Sequence, residues 1–297
     1  MRYHVILLNL LLLISVFTGC REKKNFQDTS DLMIGVKVYN IDRELKSVFE
    51  EWENLGINTV FASPSIFNDQ FSELAKKHDI ETFVILPVFY DPDTLQAHPD
   101  SIPNTCFCTY CLEKFQSDKN ISIPESLVDV NDIAGWIKAN HQAEWIDWKC
   151  SLITGMVRNI VTEAKKVKPE VKVNLHGVPW RQDDFDNAIR RIVAQDFSAL
   201  TEYCDIISPM TYSHMLKREP KWIHSVVKDI TGQVNCKVIP SIQVNEAYLT
   251  NILSAEEFEQ TLIEALKPPS SGVFLWSWEQ LEKVPEKKEI MKKVLSF

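Results

Sequence analysis

Glycine is scarce in this chain. Only 8 of its 297 residues are glycine, and no glycine-rich loop follows the first apolar run. That excludes a nucleotide cradle of the P-loop or dinucleotide-binding kind, and no cofactor is expected. Positive charge is also in deficit: 32 Lys and Arg stand against 41 Asp and Glu, a formal net charge of −9. No basic patch interrupts that balance, so nucleic acid is not expected as a partner. Anionic polysaccharide is disfavoured as the main ligand unless local charge overrules the total. After the N-terminal stretch no apolar run approaches the ~20 residues that span a bilayer as a helix. No second C-x-x-C pair completes a metal site begun by Cys108 and Cys111, and no nearby histidine stands at a matching spacing, so no metal is assigned.

What is present begins at the N-terminus. Arg2 precedes an apolar stretch from Val5 to Phe17, followed at once by Thr18-Gly19-Cys20. Roughly a dozen apolar residues are too few to cross a bilayer but suit the apolar region of a signal. The pattern resembles a bacterial lipoprotein signal, with Phe17 where leucine is usual. That likeness implies a signal peptide over residues 1–19, diacylglycerol on the Cys20 thiol, and a polar lipidated tether over 20–31. The alternative is an ordinary secretory signal with a coincidental cysteine. The expected location is the cell envelope, held to a bacterial outer membrane through the lipid anchor on its periplasmic or surface side. Six cysteines follow Cys20, three of them within Cys106-Phe107-Cys108-Thr109-Tyr110-Cys111. An even number permits disulfides in an oxidising compartment, and free thiols or a metal remain open.

Residues 32–297 read as one large domain. Short β-branched runs alternate with longer amphipathic stretches. Strands are predicted at Ile34–Tyr39, Asn58–Ala62, Glu81–Phe89, Val171–His176, Asp205–Met210, Cys236–Gln243 and Gly272–Trp276, near-continuous apolar runs of the kind found in parallel sheets covered on both faces. Between them lie predicted helices: one capped by Asp42 and ended by Leu55-Gly56, then Phe67–His78, Asp132–Lys168 with a weak point at Gly155, Asp183–Tyr203, Pro220–Ile230, Ser254–Lys267 opened by a Ser254-x-x-Glu257 capping box, and Pro285–Leu295. Strand alternating with helix around one core means an α/β fold, and the size and closing helix fit a TIM-type (β/α) barrel. Seven strands are recognisable rather than eight, with the deficit between Phe89 and Trp136.

Particular strings sharpen this reading. GVKVYN at 35–40, FVILPVFYDPDTL at 83–95, DSIPNTCFCTYCLEKFQ at 100–116, the stretch from His176 to Ile223, and GVFLWSWEQL at 272–281 resemble a group of glycoside hydrolase-like TIM-barrel lipoproteins of Bacteroidetes type. Ser208-Pro209-Met210-Thr211-Tyr212 and Trp276-Ser277-Trp278-Glu279 resemble strand ends of chitinase-like barrels more widely. The resemblance implies a carbohydrate partner and hydrolysis of glycosidic bonds. It also implies a fourth strand ending in an acidic residue, which this chain lacks in the expected place. The wall of the barrel is therefore expected to be incomplete, with local irregularity or cover from Ile121–Asn131. A non-catalytic glycan-binding lipoprotein is the alternative function.

Glycoside hydrolysis needs two carboxyl groups at the C-terminal ends of barrel strands, about 5–5.5 Å apart for retention and about 6.5–9.5 Å for inversion. The acids in such positions are Asp91, Glu246 and Glu279. One of Glu246 and Glu279 would protonate the leaving oxygen, and another carboxylate would stabilise or attack the sugar. Each has a plainer reading: Asp91 beside Pro92 suits a turn, Glu246 a solvated loop, Glu279 the first turn of a helix. His176 and Tyr212 are candidate hydrogen-bonding groups for substrate. Trp180, Trp276 and Trp278 are candidate stacking walls.

Overall fold

The computed structural model describes residues 32–87, 107–247 and 251–295. Residues 1–31, with Cys20 and the proposed signal and tether, lie outside these, as do Asp91 and Cys106. Among the described residues no helix is long and apolar enough to cross a membrane. The strands are β1 (Met33–Val38), β2 (Thr59–Ala62), β3 (Glu81–Val84), β4 (Asn174–Gly177), β5 (Ile206–Pro209), β6 (Lys237–Val238), β7 (Ser241–Gln243) and β8 (Gly272–Trp276). All their pairings are parallel.

The described strands have an α/β barrel's order with one place in the wall open. One run of strands is β3-β2-β1-β8-β7 and the other is β4-β5-β6. β6 and β7 are one strand interrupted at Ile239-Pro240, where proline has no N–H to give the ladder. The pairing carries on through the break: Ile239 N–H donates to Ile207 O at 3.0 Å, Phe274 N–H to Pro240 O at 2.9 Å, and Met210 bridges Ser241. Among the described residues eight short strands thus fill seven positions, and the open place lies between β3 and β4. In each of those two strands only one residue of four is buried, and Val84 on β3 is 50% exposed. Lys172 reaches Glu81 across the opening with an ion pair of 2.6 Å.

Helices coat the outside. α1 (Leu45–Asn54), α2 (Asp69–Lys77), α9 (Ala255–Ala265) and α11 (Pro285–Leu295) pack Val48, Phe49, Trp52, Phe71, Phe258 and Met291 against the outer face of β1, β2, β7 and β8. α5 (Gln142–Val167) and α8 (Lys221–Thr231) do the same for β5 and β6 through Val157, Val161, Val226 and Val227. α3 (Thr109–Lys119) and α4 (Val130–Asn140) join the start of α5 in a separate core of Leu112, Phe115, Ile137, Trp145 and Trp148. Ile121 and Ile123 pack there, so the segment expected to cover the strand edge serves this helical core.

Three local expectations are corrected. Asp42 is not the cap of α1: Glu44 holds that place, and the Asp42 carboxylate accepts from the Asn40 amide instead. The long helical region breaks at His141, not at Gly155, through which α5 runs unbroken. The single helix predicted at Asp183–Tyr203 is two single turns, α6 (Ala188–Arg191) and α7 (Phe197–Leu200). Phe185, Asp186, Asn187 and Ala194 adopt positive φ, and Asp184 bonds the Arg181 N–H and guanidinium, building a turn where a helix was expected. The Ser254 cap is present, accepting from Glu257 N–H at 3.1 Å, while the Glu257 carboxylate turns to His214. The remaining short helix, α10 (Trp278–Leu281), follows β8.

Candidate functional site

Alternation along the strands sorts their side chains into an outer set facing the helices and an inner set filling the barrel. The inner set begins with an apolar layer: Met33, Phe61, Phe83, Ile206, Ile239 and Phe274. Gly35 belongs to it by lacking a side chain, since a Cβ there would lie 2.4 Å from the Phe274 ring. Two residues further along each strand the character changes. Lys37, His176, Ser208, Ser241 and Gln243 point inward above the apolar layer, towards the C-terminal ends of the strands where barrel sites form. The Phe61 ring meets His176 edge-on at 5.7 Å, marking the boundary.

The centre of this polar layer is an amine. Lys37 is 6% exposed, and its Nζ donates to the Tyr212 hydroxyl at 3.4 Å. That hydroxyl lies 3.4 Å from Ser241 Oγ. Tyr212 stacks on Trp276, with ring centroids 4.9 Å apart and planes 23° apart. No carboxylate among the described residues pairs with Lys37, so loss of water brings its pKa down from 10.5 to about 7. Burial, and then the nearby Lys37 charge, hold His176 neutral, well below its ordinary 6.5. Its Nδ1 is buried without a hydrogen-bond partner. Beside it, Asn174 donates to Ser208 Oγ at 3.0 Å while its own carbonyl oxygen is unpartnered. The layer therefore carries more hydrogen-bonding capacity than the protein itself uses.

The residues singled out from sequence fall into three groups. His176, Tyr212 and Trp276 meet in the barrel mouth. Glu279 sits at its rim in the first turn of α10, where Oε1 accepts the N–H groups of Tyr39 at 2.5 Å and Asn40 at 2.9 Å, at the end of β1. Its Oε2 is buried with no partner. The others lie elsewhere. Trp278 is fully buried behind the sheet against Trp52, with Arg43 and Lys288 over its ring, so it offers no face to a ligand. Trp180 leaves the mouth after β4 and packs on Phe185. Glu246 is exposed, and its carboxylate makes no hydrogen bond or ion pair among the described residues; only its backbone oxygen is bonded, to Gln280.

Lys37, Asn174, Ser241 and Gln243 were missed by the sequence reading. The signal for Lys37 was there: a lysine within a strand otherwise apolar on both faces has no solvent side to point to. Among the described residues no three His, Cys, Asp or Glu side chains are grouped to hold a metal.

No protein-family model matches the sequence, and no curated protein matches it. Solved structures do share its architecture. The glycoside hydrolase domain of PgaB (BpsB) from Bordetella bronchiseptica matches with a TM-score of 0.64 at 11% identity, over 88% of this chain and 98% of that one. Bee venom hyaluronidase in complex with a hyaluronic acid tetramer gives 0.45 at 12% identity, over 89% and 96%. The GH18 chitinase ChiB of Flavobacterium johnsoniae gives 0.45 at 10%, over 89% and 94%. The fold is that of glycoside hydrolase-type TIM barrels, with one strand position open among the described residues. At these identities the likeness is one of fold.

Proposed function

We propose that this chain is a cell-envelope lipoprotein, anchored through Cys20, whose barrel mouth binds carbohydrate. The observation that carries this reading is the Tyr212–Trp276 stack set beside a polar layer with unused hydrogen-bonding capacity. A sugar has an apolar C–H face and a polar rim of hydroxyls, and a partly open indole next to fixed polar groups complements both. Binding is measured by calorimetry against a panel of oligosaccharides from cell envelopes and plant walls. Trp276→Ala is expected to weaken binding at least tenfold, and a full panel without binding refutes the reading. For the anchor, Cys20→Ala is expected to release the protein from membranes, and continued retention refutes lipidation.

Hydrolysis is a second reading, favoured by one observation. Glu279 is held by two backbone N–H groups on one oxygen, while the other oxygen is buried and unpartnered among the described residues, an arrangement that fixes a carboxylate at the rim where a sugar would lie. Asp91 is its candidate partner. In this reading aryl glycosides are cleaved and Glu279→Gln abolishes turnover while the protein still binds glycan. Turnover unaffected by that substitution removes Glu279 from the chemistry.

A further inference from the structure

We propose that Lys37 recognises a carboxylate on the bound sugar, making the ligand a uronic-acid-containing glycan; this rests on the carbohydrate reading above. The geometry is that of an incomplete ion pair. A lysine ammonium has three N–H donors, and among the described residues Lys37 has one acceptor, Tyr212, at the long distance of 3.4 Å. The residue is 6% exposed, so bulk water reaches little of it. Buried lysines are ordinarily paired. Here no carboxylate among the described residues does so, and the complementary charge is left to an incoming group.

Two polar groups face that ligand, Lys37 Nζ and the Tyr212 hydroxyl 3.4 Å away, with the fully buried Ser241 Oγ behind the hydroxyl, a further 3.4 Å on. A carboxylate has two oxygens and accepts from neighbouring donors of this kind. A uronic acid carries its carboxylate directly on the ring. Because Trp276 stacks on Tyr212, a sugar lying against the indole edge brings a ring-borne carboxylate towards the Tyr212 hydroxyl and the amine. A neutral hexose presents a hydroxymethyl group there and leaves the ammonium unpaired. The net charge of −9 does not oppose this strongly, since charges beyond about 8 Å are largely screened at physiological ionic strength.

The pH dependence has a defined sign. Facing Lys37 are His176 from β4 and Tyr212 after β5, and Glu279 lies at the rim, bonded to the N–H groups of residues 39 and 40. His176 is already neutral, and a sugar carboxylate stays ionised above about pH 4. Uronate affinity is therefore greatest below about pH 7, where the amine holds its proton, and falls as pH rises through that range.

The experiment is calorimetry on the purified chain with methyl glucuronide and methyl galacturonide, the matching neutral glycosides, 6-sulfated galactose, and oligomers of each. Uronates are expected to bind at least tenfold more tightly than their neutral counterparts. Lys37→Met is expected to remove that preference, with a thermal melt verifying that the variant is folded. Equal affinity for neutral sugars and uronates, or a preference for sulfate, overturns this inference and leaves the carbohydrate reading standing. Binding of no sugar at all overturns both.

Discussion

Replacing Lys37 by methionine removes a charge from the barrel interior and leaves a side chain of similar length, so the variant is expected to be more stable than the wild type. The magnitude follows from the two protonation equilibria. The amine titrates near 7 in the fold and at 10.5 when exposed, and each tenfold is about 1.4 kcal/mol, so the fold disfavours the charged lysine by at most ~5 kcal/mol. Between those values the unfolded chain holds the proton and the native protein does not, so stability rises with pH. The Lys37 penalty is ~5 kcal/mol at pH 5, ~4 at pH 7 and ~2 at pH 9. Methionine forfeits the long hydrogen bond to Tyr212, about 1 kcal/mol at most. The expected net gain at pH 7 is therefore about 3 kcal/mol, and the difference between the two proteins narrows by about 2 kcal/mol from pH 7 to pH 9. Urea unfolding followed by tryptophan fluorescence across this range measures both. A methionine variant less stable at pH 7, or a difference that does not move with pH, refutes the reasoning.

The other buried lysine has the opposite sign. Lys287 donates to the carbonyl oxygens of Val244 at 2.8 Å and Leu253 at 2.5 Å, and lies 3.4 Å from Asn245 Oδ1; Lys287→Met leaves those acceptors unpaired and should cost about 3 kcal/mol in the same assay. Gly272 has φ +146°, and a Cβ there would stand 2.0 Å from the Met33 carbonyl oxygen, so Gly272→Ala is expected to cost more than ~4 kcal/mol or prevent folding, read from soluble yield and unfolding midpoint. Its tolerance without loss of stability would contradict the packing of β1 on β8. The neighbouring Cys204 brings the Cys236 thiol down to about 6, while Cys236 and burial push the Cys204 thiol up, and Cys204 Sγ donates to the Leu200 carbonyl oxygen. Iodoacetamide at neutral pH should therefore modify Cys236 before Cys204, and Cys204→Ser should slow that reaction, both read by peptide mass spectrometry. Modification of Cys204 first would count against the pairing.

The order of strands and helices was legible because each buried strand is a nearly pure apolar run and each coating helix carries an apolar stripe. The place left open among the described strands was legible too, as text missing between strand three and the next. Other features depend on tertiary structure and escaped. The stretch 183–203 has helical composition, yet Asp184 anchors on Arg181 and four residues take positive φ, a choice made by local side-chain bonds that periodicity does not register. Trp278 and Trp276 are two residues apart on either side of a strand end, and sequence assigned both to the mouth. The chain enters a helical turn after Ser277, which carries Trp278 into the core behind the sheet and leaves Trp276 at the opening.

Lys37 shows the same limit from the other direction. Read as a line of text, MIGVKV is an apolar strand with one polar residue, and a polar residue in a strand is ordinarily assigned to a solvent face. Here both faces of β1 are covered, the outer by Val48, Phe49 and Trp52 and the inner by Phe274 and Phe61. The lysine shares its face with Gly35 and Met33, two and four residues back, so alternation alone fixes it inside the barrel once the strand is known to be central. Its position near the C-terminal end of the strand then puts the charge at the mouth. A chain selected for stability alone would carry methionine or leucine there. Keeping an ammonium at that depth with no carboxylate partner among the described residues makes physical sense when something outside the chain supplies the opposite charge, and the pH-dependent stability cost is the signature by which that bargain can be measured.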